Sequence, residues 1–151
     1  MHEMKTNVGI ARIFNTYGPR LNPIDGRVIS NMVTQALPNE PLTVYGDDSQ
    51  TRSFWYVSDL VKDLYALATS PHLGPFNIGN PVETTINQLV TIVVRETSSR
   101  SEIQFLSLPI EDQICRCPDI PKAISLLNWS SEKDLASGIR MTIQHFEKTE
   151  R

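Results

Sequence analysis

Short β-rich runs alternate along this chain with longer segments whose apolar residues recur at helical spacing, and that alternation points to an α/β architecture. The first run, residues 8–14 (VGIARIF), stops at a Tyr-Gly-Pro turn. After Asp25 and Gly26, the residues Val28, Ile29, Met32, Val33, Ala36 and Leu37 mark one face of a helix that Pro38 and Pro41 close. Residues 42–45 (LTVY) read as a strand, GDDSQ as a turn, and residues 52–57 (RSFWYV) as extended again. Leu60, Val61, Leu64, Tyr65 and Ala68 predict a second helix, with Ser58 as its N-cap. PFNIGNP is a strand and turn before a third helix, capped by Thr84 or Thr85, that buries Ile86, Leu89, Val90 and Val93. EIQFL (102–106) alternates as a strand, and Asp119 with Pro121 opens a short helix. Ser131 with Asp134 resembles a capping box before a final helix with Leu135, Ile139, Thr142, Ile143 and Phe146 inward. Two or three short parallel strands make a thin core alone, so this order suits one lobe of a larger protein.

With 40% hydrophobic and 21% charged residues, the chain of 151 residues is globular rather than disordered. A net charge of −3 and the lack of any run of Lys or Arg argue against nucleic acid as a partner. No stretch approaches the length of apolar sequence that a membrane helix needs, and MHEMKTNVG has no signal-peptide apolar core. The default expectation is therefore a soluble protein of a reducing, cytoplasmic compartment. Cys115 and Cys117 form a Cys-x-Cys pair, read here as two incidental thiols in a loop. Neighbouring strand positions point to opposite faces, which disfavours a mutual disulfide, and no second cluster completes a zinc site.

Three clusters carry more hydrogen-bonding capacity than packing requires. Asn15, Thr16 and Arg20 follow a strand end, where open α/β sheets bind ligands, and an amide, a hydroxyl and a guanidinium there suit sugar hydroxyls and phosphates. The same residues also suit a turn that satisfies only its own backbone. Arg27 opens a helix after Asp25-Gly26, where a cation opposes the helix dipole but can grip a carboxylate in bidentate fashion; on the residues alone a solvated surface arginine is the plainer reading. TVYGDDSQTRSF and RCPD offer Tyr45 for stacking, and Arg52 and Arg116 for a diphosphate.

The segments ARIFNTYGPR, DGRVISNMV, PLTVYGDDSQTRSFWYVSDLV, FNIGNP and RCPDI occur here in one order. Together they resemble the C-terminal half of the extended short-chain dehydrogenase/reductases that act on nucleotide sugars. Within that family DGRVISN pulls the likeness toward the UDP-glucuronate decarboxylases and away from epimerases and dehydratases. The resemblance implies the last Rossmann strands plus a substrate-binding lobe over residues 1–151, and NAD as cofactor. It implies a reaction in which NAD oxidises C4 of UDP-glucuronate, CO₂ leaves, and the hydride returns to give UDP-xylose. It implies that Asn15 touches the UDP-sugar, that Thr16 faces the cofactor, and that Arg27 lies at the sugar end near the leaving carboxylate and the cofactor. Val28, Ile29, Ser30, Asn31 and Met32 would line the sugar-nucleotide site. Val44, Tyr45 and Gly46 would border the uracil, and Arg52 and Arg116 would hold ribose and diphosphate. Family members are usually homodimers, some free in the cytosol and others anchored in the Golgi lumen.

The same resemblance makes two missing features informative. The seven glycines cannot form a Gly-x-x-Gly-x-x-Gly phosphate loop, and none of the four tyrosines has a lysine four residues later. The expectation is a chain that begins after the catalytic apparatus, with residues 1–7 the remnant of the helix that carries the Tyr-Lys pair. EDQICRCPDI also lacks a proline usual before the arginine. The alternatives left open are a sibling epimerase or dehydratase, and a non-catalytic module that binds UDP-sugars.

Overall fold

The computed structural model describes residues 7–46, 49–108 and 115–149. In chain order its elements are β1 (Ala11–Ile13), β2 (Thr16–Tyr17), α1 (Val28–Ala36), β3 (Leu42–Tyr45), β4 (Thr51–Ser53), β5 (Trp55–Tyr56), α2 (Val57–Thr69), β6 (Phe76–Ile78), β7 (Glu83–Thr85), α3 (Ile86–Thr97), β8 (Ile103–Leu106), β9 (Cys115–Arg116), α4 (Pro121–Leu127) and α5 (Leu135–Thr149). The fold is mixed α/β, and among the described residues its strands form four small sheets rather than one. β1–β6, β2–β5 and β3–β8 are parallel pairs, while β4 lies between antiparallel β7 and parallel β9. The remnant helix expected at residues 1–7 falls, apart from Asn7, outside the described residues.

Strand β5 is two residues long, and its pleat divides the interior. Trp55 packs with Leu60, Leu67, Phe76, Ile78 and Ile120 in one core. Its neighbour Tyr56 faces the other core, built from Met32, Val33, Leu42, Leu89, Ile139 and Phe146. Successive side chains of a strand point to opposite faces, so one dipeptide joins both halves. The extended run expected over 52–57 thus breaks at buried Phe54 into two strands that serve different sheets.

The helices fall where the apolar periodicity places them, but several caps differ. Thr85 caps α3 as expected: its hydroxyl accepts from the Gln88 N–H, and the Gln88 side chain accepts from the Thr85 N–H. Ser58 does not cap α2, which starts at Val57 directly from β5; its hydroxyl donates to Asp59 Oδ1 instead. The N-cap of α4 is Ile120, not Asp119, although Pro121 does occupy the first turn. Helix α5 begins at Leu135, and Asp134 rather than Ser131 accepts the Ser137 N–H at 2.9 Å. The reason is tertiary: Asp59 Oδ2 accepts the N–H groups of Glu132 at 3.1 Å and Lys133 at 3.0 Å. Those bonds hold this segment against α2 and keep it out of the helix.

Strands β2, β7 and β9 were not foreseen, because two or three residues are too few to show a period. Cys115 sits in β9 rather than in a loop. Cys115 and Cys117 are two positions apart, not adjacent, and Cys117 lies just past β9, so the alternation of neighbouring strand positions does not disfavour their pairing.

Candidate functional site

A cleft of about 280 Å³ opens between the β1–β2 turn, the start of α1, strand β3 and the sheet of β7, β4 and β9. Asn15, Arg27, Arg52 and Arg116 all line it, although they come from four separate segments. Asn15 is fixed from two sides: its Nδ2 donates to the Ser53 carbonyl at 3.2 Å, and its own carbonyl accepts the Trp55 N–H at 2.8 Å. Thr16 also lines the cleft, with its hydroxyl donating to the Phe14 carbonyl at 2.9 Å.

The loop before α1 presents Arg27 at the N-cap position. Asp25 organises that loop: its Oδ1 accepts the Arg27 N–H at 3.0 Å and the Ser30 hydroxyl, and its Oδ2 pairs with Arg27 Nε at 3.3 Å. Arg27 Nη1 reaches the Thr16 carbonyl at 3.5 Å, so the guanidinium leans across the mouth of the cleft with 63% of its side chain exposed. Val28, Ile29, Asn31 and Met32 continue the wall. Ser30, expected there, is fully buried and turned toward Asp25, outside the lining.

Arg52 and Arg116 are register partners in the parallel β4–β9 pair, which brings both to one sheet face and into the cleft. Arg52 is buried and donates to the Thr51 carbonyl at 2.9 Å. Val44 and Tyr45 lie on the opposite wall, with Tyr45 43% exposed. Gly46 does not line the cleft; at φ +91° it turns the chain after β3, and a Cβ there would meet Gln50 Oε1 at 3.2 Å. Thr43 is locked to α1 by two hydrogen bonds with Gln35, both at 3.0 Å.

Several lining residues escaped the sequence reading, among them Gln50, Phe54, Ile86 and Tyr17. Gln50 and Phe54 lie inside the quoted TVYGDDSQTRSF, but nothing local distinguishes them; Gln50 is 3% exposed only because the fold encloses it. Tyr17 is excluded as a base. Burial pushes its hydroxyl well above the usual range, and it donates to the Leu135 carbonyl at 3.3 Å as a neutral group.

Two guanidinium groups side by side, a third at the mouth, a fixed amide and an accessible aromatic ring suit an anionic ligand with a planar ring. Neither α2, which starts without a glycine turn, nor α3, whose N–H at Gln88 is already taken by Thr85, offers a cradle for the pyrophosphate of a dinucleotide. Among the described residues, no helix is long and apolar enough to cross a membrane.

Residues 1–79 match the model of the NAD dependent epimerase/dehydratase family, more than half of the chain. The chain belongs to the NAD dependent epimerase/dehydratase family. Among curated members of this family's decarboxylase branch, UDP-glucuronic acid decarboxylase 2 of Arabidopsis thaliana is 49% identical over 141 residues, 93% of this chain and 32% of that protein. UDP-glucuronic acid decarboxylase 1 of Danio rerio is 47% identical over 148 residues, 98% of this chain and 35% of that protein. The chain thus spans about a third of the length of the curated relatives it matches. UDP-glucose 4-epimerase of Thermotoga maritima, solved with UDP-glucose, superposes with a TM-score of 0.89 at 28% identity, over 95% of this chain and 47% of that one. UDP-glucuronic acid 4-epimerase of Bacillus cereus, in complex with UDP-glucuronic acid and NAD, gives 0.88 at 25% identity, over 97% and 47%. The epimerase/dehydratase family reading of the motifs is borne out, and so is the Rossmann-type α/β fold that it implied.

Proposed function

We propose that this chain supplies the nucleotide-sugar wall of an NAD-dependent UDP-glucuronate decarboxylase, a carboxy-lyase that forms UDP-xylose. The observation that carries the reading is the meeting of Asn15, Arg27, Arg52 and Arg116 in one cleft. Its support is the 47–49% identity to UDP-glucuronic acid decarboxylases over nearly the whole chain. On this reading Arg52 and Arg116 hold the diphosphate, Tyr45 flanks the uracil ring, and Asn15 meets the sugar. Arg27, at the mouth beside the α1 N-terminus, faces the glucuronate carboxylate; a guanidinium is suited to a carboxylate because both are planar and bidentate. Catalysis by the 151 residues alone is not expected, since the family's acid–base pair and dinucleotide loop are absent from the sequence.

Calorimetric titration tests this directly. UDP should bind weakly, on the order of millimolar. Arg116→Ala should weaken UDP by about 1.5–3 kcal/mol, the worth of a hydrogen bond to a charged group. Arg27→Ala should weaken UDP-glucuronate and leave UDP unchanged. A flat titration with UDP, or formation of UDP-xylose by the purified chain with NAD, would overturn the reading. The epimerases among the structural neighbours keep a second reading open, in which Arg27→Ala affects UDP-glucuronate and UDP-glucose alike.

A further inference from the structure

Cys115 and Cys117 flank Arg116: Cys115 shares with it the strand β9 that borders the cleft, and Cys117 follows directly after. Arg116 faces the cleft, and the two thiols face the other side of the sheet. Cys115 Sγ donates to Glu83 Oε1 at 2.7 Å, and Cys117 Sγ to the Pro81 carbonyl at 3.3 Å. Pro81 and Glu83 are themselves two residues apart, so both thiols lie along one rim of the same segment. Thr51, the register partner of Cys115, donates to the same Glu83 oxygen at 2.6 Å, which fixes that face independently. Both cysteines are free and exposed. Proximity is also written in their electrostatics: burial first, then the charges of Glu83 and Cys115, push the Cys117 thiol up.

We propose that Cys115 and Cys117 are an oxidisable dithiol that closes reversibly to a disulfide on the back of the sheet and, in closing, withdraws Arg116 from its place in the cleft. Extended residues two apart have Cα atoms about 6.6 Å from each other, whereas disulfides favour about 5.5–6 Å. Closure therefore draws the chain in by about 0.6–1.1 Å around Arg116, in register with Arg52. A bridge closed against the extended backbone is readily reopened by thiols, as a reversible device requires. The oxidant is a hydroperoxide. The Cys115 thiolate attacks its terminal oxygen; the S–O bond forms, the O–O bond breaks, and an alcohol or water leaves. The Cys117 thiolate then attacks the Cys115 sulfur, forming the S–S bond and expelling hydroxide, which takes up the released proton as water. Two thiols lose two electrons and one peroxide bond is reduced. The Glu83 carboxylate accepts from the Cys115 thiol, opposes the charge of the Cys117 thiolate, and so sets how fast this occurs.

The test treats the whole chain with one equivalent of hydrogen peroxide. The expected product is a monomer with both titratable thiols lost and a mass lower by about 2 Da. Dithiothreitol should restore the thiols, Cys117→Ser should abolish the bridge, and Glu83→Gln should speed its formation. Amide hydrogen exchange in β4 and β9 should change on oxidation without any ligand. The ligand arm rests on the proposed function: UDP affinity should fall about tenfold on oxidation and recover on reduction. Surviving thiols, cross-links between chains, or a bridge that alters neither hydrogen exchange nor UDP binding would each overturn the proposal. If UDP binds neither form, the functional reading fails by itself, and the thiol count with hydrogen exchange still decides this one.

Discussion

Asp63 shows what a single buried carboxyl contributes. It sits in α2 with 6% of its surface exposed, and its Oδ2 has no hydrogen-bond partner. Burial first, then the like charge of Asp59, pushes its pKa up to about 6, while Lys62 and the nearby Trp129 indole pull the other way. That indole stacks on Trp55 at 5.0 Å, and its N–H lies close to the carboxyl yet makes no bond of hydrogen-bonding geometry. A carboxyl raised in this way holds its proton more tightly in the folded chain than in the unfolded one. Its contribution is fully present below about pH 4, is lost as pH rises through about 6, and is gone at neutrality. Asp63→Asn keeps the shape without the charge. The variant should be more stable than the parent by about 1–2 kcal/mol at neutral pH and equal to it near pH 4, as read by thermal melts across pH. An equal difference at both ends would show that the charge is not the cause.

Helix α5 owes its position to the absence of a side chain. A Cβ at Gly138 would lie 2.2 Å from the Tyr17 hydroxyl and 2.9 Å from Tyr56 Cδ2, so only glycine lets the helix rest on β2 and β5. Alanine normally favours a helix over glycine by about 1 kcal/mol, but overpacking a dense core costs about 1–3 kcal/mol. Overpacking should win here, because the obstacle is the body of a buried ring rather than a flexible tip. Gly138→Ala should lower the urea midpoint by an amount equivalent to about 1–2 kcal/mol. An unchanged or raised midpoint would mean that Tyr17 moves aside freely. Its effect should also reach UDP binding, since Tyr17 lines the cleft. The order and type of the helices were legible from periodicity, which is a property of one segment. Their ends were less so: Asp59 of α2, distant in sequence, decides where α5 begins.

At the scale of the molecule, the β1–β6 pair is thinly covered. Val8 is 61% exposed, and Ile10 and Ile13 are each 52% exposed, in and just before β1, a strand paired among the described residues with β6 alone. Exposed apolar side chains at the edge of a two-stranded sheet invite association. The isolated chain should bind an apolar dye and self-associate in sedimentation, and Ile10→Lys with Ile13→Lys should shift it toward monomer. A dye-silent monomer that melts cooperatively would show those exposed side chains to be harmless. Local pattern was enough to establish the alternation of strands and helices and a threonine cap at 84 or 85 on α3, because each is encoded within a few neighbouring residues. The tertiary structure alone decided that Arg52 and Arg116 stand opposite each other, that Ser30 leaves the cleft while Gln50 enters it, and that Trp55 and Tyr56 serve different cores. Those outcomes depend on pairings between segments far apart in the chain, and no local period carries them.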